Sequence, residues 1–157
     1  IILLIYIMIK QIEIKDKKFI FRKLKLDDIT EDYFKLLKQL TYVDEIDDEK
    51  NQNFFKRLNP DHQIIVITHE NNIVGSGTLF VEHKLIRDYG KVGHIEDIVI
   101  DKKHNGCGLG KHMIETLKEL AIKRNCYKCI LDCDEVLERF YNKCEFNKMG
   151  LFMAKYI

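Results

Sequence analysis

The apolar residues of this chain fall into short runs. Their spacing alternates between the two-residue period of a strand and the three-to-four-residue period of a helix. Phe19-Ile20-Phe21 with Leu24 predicts a first strand. Ile29, Tyr33, Leu36, Leu37 and Leu40 then recur on one helical face, with Asp27 or Asp28 offering the N-cap. The acidic stretch Asp44 to Glu49 reads as a loop, and Phe54, Phe55 and Leu58 as a short helix ending before Pro60. Ile64 to Ile67 and Ile73-Val74 predict a hairpin around His69-Glu70-Asn71-Asn72, its second strand running through Gly75 and Gly77 to Val81. Ile95 to Ile100 is the next strand. After a glycine-rich break, Met113, Leu117, Leu120 and Ala121 share a helix face that ends at Arg124-Asn125. Tyr127 to Cys133 predicts a strand, Glu135 to Lys143 a short helix, and Leu151 to Tyr156 a closing strand. The order β-α-α-β-β-β-α-β-α-β means an α+β or α/β sheet with helices on its faces.

No linker, repeat or low-complexity run interrupts this pattern, so residues 19–157 read as one domain, with 1–18 as an N-terminal extension that can add a strand. The opening Ile1 to Ile9 is too short to span a bilayer, which takes about 20 apolar residues. It also lacks the charged flank and cleavage site of a signal peptide. The chain begins without Met, as a fragment or processed protein does. Lys plus Arg at 26 against Asp plus Glu at 25 leaves a net charge of +1, which removes a bulk electrostatic grip on nucleic acid. Five cysteines, an odd count without a secretory signal, read as reduced thiols of a cytoplasmic protein.

Asn105-Gly106-Cys107-Gly108-Leu109-Gly110-Lys111 joins a predicted strand to a predicted helix. Such a turn aims free backbone N–H groups at one point, backed by the positive end of the helix dipole, and its natural guest is a phosphate. A nucleotide P-loop needs four residues between its glycines and a hydroxyl after the lysine. Here only three separate Gly106 from Gly110, and His112 stands where the hydroxyl belongs. The G-x-G-x-G spacing also misses the dinucleotide fingerprint.

Asn105-x-x-Gly108-x-Gly110 resembles the acyl-CoA loop of the GNAT superfamily of acetyl-CoA-dependent N-acetyltransferases, apart from an Arg or Gln at the first position. Gly93-His94-Ile95-Glu96-Asp97-Ile98, Cys126 to Asp134 and Phe140-Tyr141-Asn142-Lys143-Cys144-Glu145-Phe146 follow the branch that acetylates glucosamine 6-phosphate, which feeds UDP-N-acetylglucosamine synthesis. The resemblance runs from about Phe19 to the C-terminus. It implies a mixed, twisted central sheet of about six to seven strands flanked by about four helices.

The resemblance implies that Gly106, Cys107, Gly108, Leu109, Gly110 and Lys111 carry the pyrophosphate of acetyl-CoA. Its pantetheine arm would pair like an added strand with Ile98, Val99 and Ile100, with Asp132, Cys133, Asp134 and Tyr141 completing the cofactor contacts. Tyr141 would protonate the departing thiolate, Asp132 orient the amine, and Glu96 accept its proton, directly or through water. Thr41, Lys84, Leu85, Ile86, Arg87, Glu96, Asp97, Ile98, Tyr127, Lys128 and Lys155 would meet the aminosugar phosphate, partly across a homodimer interface. A regular strand turns Glu96 and Asp97 to opposite faces, so a shared ligand demands a bulge or a different role for Asp97. Three positions depart from the family: Asn105; Glu145, where a glycine is usual; and Tyr156 with Lys155, where the family places an Arg for the sugar phosphate.

No metal is expected. Cys126-x-x-Cys129-x-x-x-Cys133 has no second pair to complete a zinc site, and a cysteine nucleophile with His94 or His104 lacks an orienting third group. The readings that remain beside the sugar acetyltransferase are a GNAT-fold enzyme for another amine and a noncatalytic acetyl-CoA-binding domain.

Overall fold

The structure, a computed structural model, describes residues 8–157. The apolar run Ile1 to Ile7, expected as strand or extension, lies outside the described residues. Six strands form one sheet in the order of the chain: β1 (Met8–Ile14), β2 (Lys17–Lys23), β3 (His62–His69), β4 (Asn72–His83), β5 (Lys91–Ile100) and β6 (Cys126–Ile130). All neighbours are antiparallel except β5 and β6, which are parallel. Besides a four-residue turn of helix at Ile86–Tyr89, the helices are α1 (Glu31–Leu37), α2 (Asp48–Phe55), α3 (Leu109–Lys123) and α4 (Glu138–Lys143). The boundary at residue 18 therefore cuts a hairpin. Lys15 and Asp16 both take positive φ, the geometry of a two-residue turn that matches strand twist, and they join β1 to β2.

Alternation along the strands sends side chains to two cores. Phe19, Phe21, Ile65, Ile67, Leu79 and Ile95 pack against Met113, Ile114, Leu117 and Ala121 of α3. Each of the buried Leu and Ile side chains contributes roughly 1.5–3 kcal/mol. On the opposite face Leu24, Val66 and Val99 pack against Tyr33 and Leu36 of α1.

Several expectations need correction. The N-cap of α1 is Thr30, whose side chain accepts from the Tyr33 amide at 3.4 Å. Asp28 instead binds Arg22 through both oxygens, at 2.6 and 2.7 Å, tying the turn to β2. The acidic stretch is not all loop, because Asp47 caps α2 and Asp48-Glu49 begin it, where negative charge suits the helix dipole. β6 ends at Ile130, so Leu131 to Asp134 leave the ladder. The closing strand at Leu151 to Tyr156 does not form. A strand holds only where a neighbour takes up its backbone groups, and no described strand pairs with this exposed segment.

Candidate active site

The site gathers around the C-terminal half of β5. Parallel pairing with β6 runs from Lys91↔Cys126 to His94↔Ile130 and stops there. Beyond that rung, Ile95 to Ile100 bond to β4 on one edge and to no described strand on the other. Ile98, Val99 and Ile100 thus present a free ladder edge. The parallel pairing thus ends halfway along β5, where β6 itself stops.

The register between β4 and β5 shifts here. Ser76 opposes Val99 and Thr78 opposes Glu96, so Gly77 alone faces Asp97 and Ile98. Asp97 takes φ 53, the left-handed bend of a bulge. The extra residue leaves Glu96 on the α1 face opposite Thr78 and turns Asp97 into a cavity on the same face. That resolves the conflict set by simple alternation. The cavity, about 310 Å³, is lined mainly by apolar residues of α1, its flanks and α2. Thr41, Ser76, Thr78 and Asp97 supply polar groups.

Glu96 is partly exposed, yet its carboxyl titrates above the ordinary range. Burial is the main cause, followed by the charges of Asp132 and Asp97, while His94 pulls the other way. Asp132, Cys133 and Asp134 lie in the irregular, exposed segment after β6. Tyr141 on α4 is half-buried between Phe140 and Phe146, ring centroids 5.0 and 6.3 Å away. Burial pushes its phenol up to about 12, with Cys133, Cys144 and Asp132 adding to the rise. Asp132 thus lies within electrostatic range of both Glu96 and Tyr141.

Past β5, a 3-10 turn at Lys102–His104 leads to the glycine-rich segment. Gly106 has φ 78 and Gly108 φ 86, and Gly108 caps α3 without any side chain contributing. No heavy atom lies within 4 Å of where a Cβ would stand at either glycine. The cradle is therefore open above the first turn of a 15-residue helix. Gly110 is different: a Cβ there would come 3.2 Å from the Phe140 ring, so α4 packs close against the start of α3. Cys107 donates its thiol to the His104 carbonyl at 2.7 Å, bracing the loop. Lys111 points to solvent near Glu115, 3.7 Å away. An anion fits this donor set.

The expected phosphate-binding segment is an exposed turn. Lys84 Nζ donates to Glu82 at 2.6 Å, and Leu85 and Ile86 are exposed. Arg87, Asp88 and Tyr89 all take left-handed φ, between 55 and 58°. Tyr127 packs on this turn, 3.0 Å from where a Gly90 Cβ would stand. Lys128 lies 5.7 Å from the Tyr127 ring centroid. Lys155 sits on the exposed tail, outside any strand or helix. Glu145 has φ 70, the left-handed backbone expected where the family places glycine, and it accepts from Lys118 at 2.6 Å.

Two residues escaped sequence reasoning in this role, His94 and Glu82. His94 Nε2 lies 2.9 Å from Glu82 Oε2, and Nδ1 lies 4.0 Å from Glu96 Oε1. The His94/Glu96 spacing of two was a usable signal, since it sets both on one strand face. Burial, first among the causes, pushes the thiols of Cys126, Cys129, Cys133 and Cys144 up. Among the described residues no cluster of three or more His, Cys, Asp or Glu is placed to hold a metal, and no helix is long and apolar enough to cross a membrane.

The sequence profile of the Acetyltransferase (GNAT) family matches residues 25–146. The chain is similar to "Glucosamine 6-phosphate N-acetyltransferase 1" of Dictyostelium discoideum, 39% identical over 92% of this chain and 94% of that protein. It is similar, too, to "Glucosamine 6-phosphate N-acetyltransferase" of Candida albicans, at 42% over 87% and 94%. Among solved structures, the glucosamine-6-phosphate N-acetyltransferase from Arabidopsis thaliana superposes with a TM-score of 0.85. It is 37% identical and covers 88% of this chain and 97% of that one.

Proposed function

The chain belongs to the GNAT acetyltransferase family, and from that premise we propose that it moves the acetyl group of acetyl-CoA to the amine of D-glucosamine 6-phosphate. The products are N-acetyl-D-glucosamine 6-phosphate and CoA. One observation carries the reading: the bulge at Asp97 sets an acidic pair on one face of β5 beside a free ladder edge and an anion cradle.

Acetyl-CoA supplies the activated acetyl group. The N–H groups of Gly106 to Lys111 hold its pyrophosphate, and the free edge at Ile98, Val99 and Ile100 takes its pantetheine arm as a substitute strand. A backbone N–H of this edge polarises the thioester carbonyl. Asp132 orients the sugar amine, and Glu96 takes its proton; a carboxyl raised above its usual range is a better base than an ordinary glutamate. Attack is direct, without an acyl-enzyme. Tyr141 stays protonated to about pH 12 and donates to the departing sulfur. Asp97 and Thr41 bind sugar hydroxyls. Lys84, Arg87, Tyr127 and Lys128 face the phosphate end, with Lys155 reaching it from a partner copy. None of these roles calls for a metal.

The working form is a homodimer. The apolar tail residues Leu151, Phe152, Met153 and Tyr156 are exposed in the single chain, as are Leu85 and Ile86 beside the proposed phosphate site. Deleting residues 149–157 should convert the dimer to a monomer in light scattering; an unchanged mass removes the tail from the interface. The free thiols suit a cytoplasmic setting.

The deciding experiment is thiol release from acetyl-CoA with glucosamine 6-phosphate, free glucosamine or a lysine peptide. Strong preference for the phosphorylated sugar supports the reading. Activity with another amine alone, or tight acetyl-CoA binding without turnover, replaces it with one of the two alternatives.

A further inference from the structure

Resting on the transfer reaction proposed above, we infer that His94, held by Glu82, is the group through which the amine's proton leaves Glu96. Glu82 Oε2 accepts from His94 Nε2 at 2.9 Å, and a carboxylate can only accept. The hydrogen of the neutral ring therefore sits on Nε2, and the Nδ1 lone pair faces Glu96 Oε1 at 4.0 Å.

Glu82 is suited to this anchoring. Its other oxygen accepts from Lys84 at 2.6 Å. Those two bonds, that of Lys84 first, hold its carboxyl below the usual range and keep it an acceptor. The ring itself is fixed edge-on against Phe80, centroids 6.0 Å apart. The charged groups around it are Glu82 from β4 and Glu96 from its own strand, with Lys84 behind the first and Asp132 and Asp97 behind the second. An imidazolium formed here lies between two carboxylates. The side chain keeps 26% of its surface exposed, enough for exchange with water.

A gap of 4.0 Å exceeds hydrogen-bond reach. One bridging water, or a swing of Glu96 by about 1 Å as substrate binds, closes it; catalytic hydrogen bonds commonly tighten in the complex. The proton count then balances. The sugar nitrogen arrives as an ammonium and leaves as an amide, so it loses two protons as the N–C bond forms and the C–S bond breaks. Glu96 takes one and passes it to His94 Nδ1, which releases it to solvent water. The other goes to solvent, while Tyr141 protonates the sulfur and is itself reprotonated from solvent. His94 is a positioning and relay residue, acting through Glu96.

The test uses full-length His94→Ala, His94→Gln and Glu82→Gln with acetyl-CoA and glucosamine 6-phosphate. His94→Ala should lower kcat by about tenfold or more, leave the affinity for acetyl-CoA within about twofold, and regain turnover as imidazole is added. Glu82→Gln, which keeps the ring but loses its anchoring charge, should lose a smaller factor. Wild-type kcat in His94→Ala, or a loss that imidazole does not restore while acetyl-CoA binding is intact, overturns the relay. Should His94→Ala not fold, His94→Gln decides, because an unchanged kcat there also overturns it. The substrate assignment fails separately: wild-type protein idle on glucosamine 6-phosphate but active on another amine refutes that assignment, and the relay is then read on that amine. Wild-type protein idle on every amine overturns both.

Discussion

The Tyr33 hydroxyl meets Ser76 Oγ at 2.9 Å inside the core, bonding α1 to β4 directly above the cavity that Asp97 enters. Tyr33→Phe leaves the Ser76 hydroxyl buried and unpartnered. Stability should fall by about 1–3 kcal/mol, measured by urea unfolding. Ser76→Ala with Tyr33→Phe should cost less than the sum of the two single changes, because both polar groups are then gone.

Gly77 faces the bulge, and a Cβ there would come 2.7 Å from Ile98 Cδ1, 3.0 Å from Met113 Cγ and 3.1 Å from Leu117 Cδ1. Gly77→Ala pushes α3 and Ile98 apart. Overpacking of this kind costs about 1–3 kcal/mol, and Ile98 lies on the free ladder edge. The variant should therefore show a raised KM for acetyl-CoA together with a lower melting temperature. A normal KM would separate the bulge from cofactor binding.

At Gly108 the expectation is of the opposite kind. A side chain meets nothing, but φ 86 is hostile to any residue with a Cβ. Gly108→Ala should weaken acetyl-CoA binding in calorimetry by about 1–2 kcal/mol through backbone geometry alone. Gly108→Asp adds charge repulsion and should be weaker still. Equal affinities for the two variants would mean that no phosphate sits on the turn.

As the proposed base, Glu96 should give the rate its acid limb. Its carboxyl is raised by burial and then by Asp132 and Asp97, so activity should climb with pH through an inflection above the ordinary glutamate value of 4.5. Removing a neighbouring negative charge makes ionisation easier. Asp132→Asn should therefore move the inflection down while lowering kcat, and Glu96→Gln should abolish it. An inflection that stays put in Asp132→Asn places the base elsewhere.

Tyr141→Phe removes the proposed proton donor and leaves the ring. Turnover should fall by about a hundredfold, with acetyl-CoA affinity nearly intact. Because the folded phenol titrates near 12 against a usual 10, wild-type turnover should show no loss from this group up to pH 10. The same shift acts on folding. The protonated phenol's contribution is fully present below pH 10 and is lost as pH rises through about 12.

The strands and helices of the two cores were legible because burial imposes a period. Phe19, Phe21, Ile65 and Ile67 alternate, and Met113, Leu117 and Ala121 recur by turns. The glycine-rich turn was legible because its chemistry is local. Interruptions of the ladder were not. That β6 stops at Ile130 depends on where the ladder with β5 ends, and the Asp97 bulge depends on what Gly77 opposes. Both are relations between distant parts of the chain, so local pattern reads Tyr127 to Cys133 as one strand and leaves Glu96 and Asp97 on opposite faces. His94 and Glu82, 12 residues apart, are joined in the same way. The tail failed for another reason: its apolar run suits a strand, but no described strand pairs with it.

The ladder that ends at His94↔Ile130 has a consequence for handling the protein. N–H and C=O groups on Ile95 to Ile100 that meet no described strand make an edge within the sheet, and an edge accepts any extended chain, including that of a half-unfolded neighbour. The ligand-free protein should form turbid aggregates on gentle warming while most molecules remain folded. Saturating acetyl-CoA should suppress that turbidity by occupying the edge, beyond what its effect on the melting temperature accounts for.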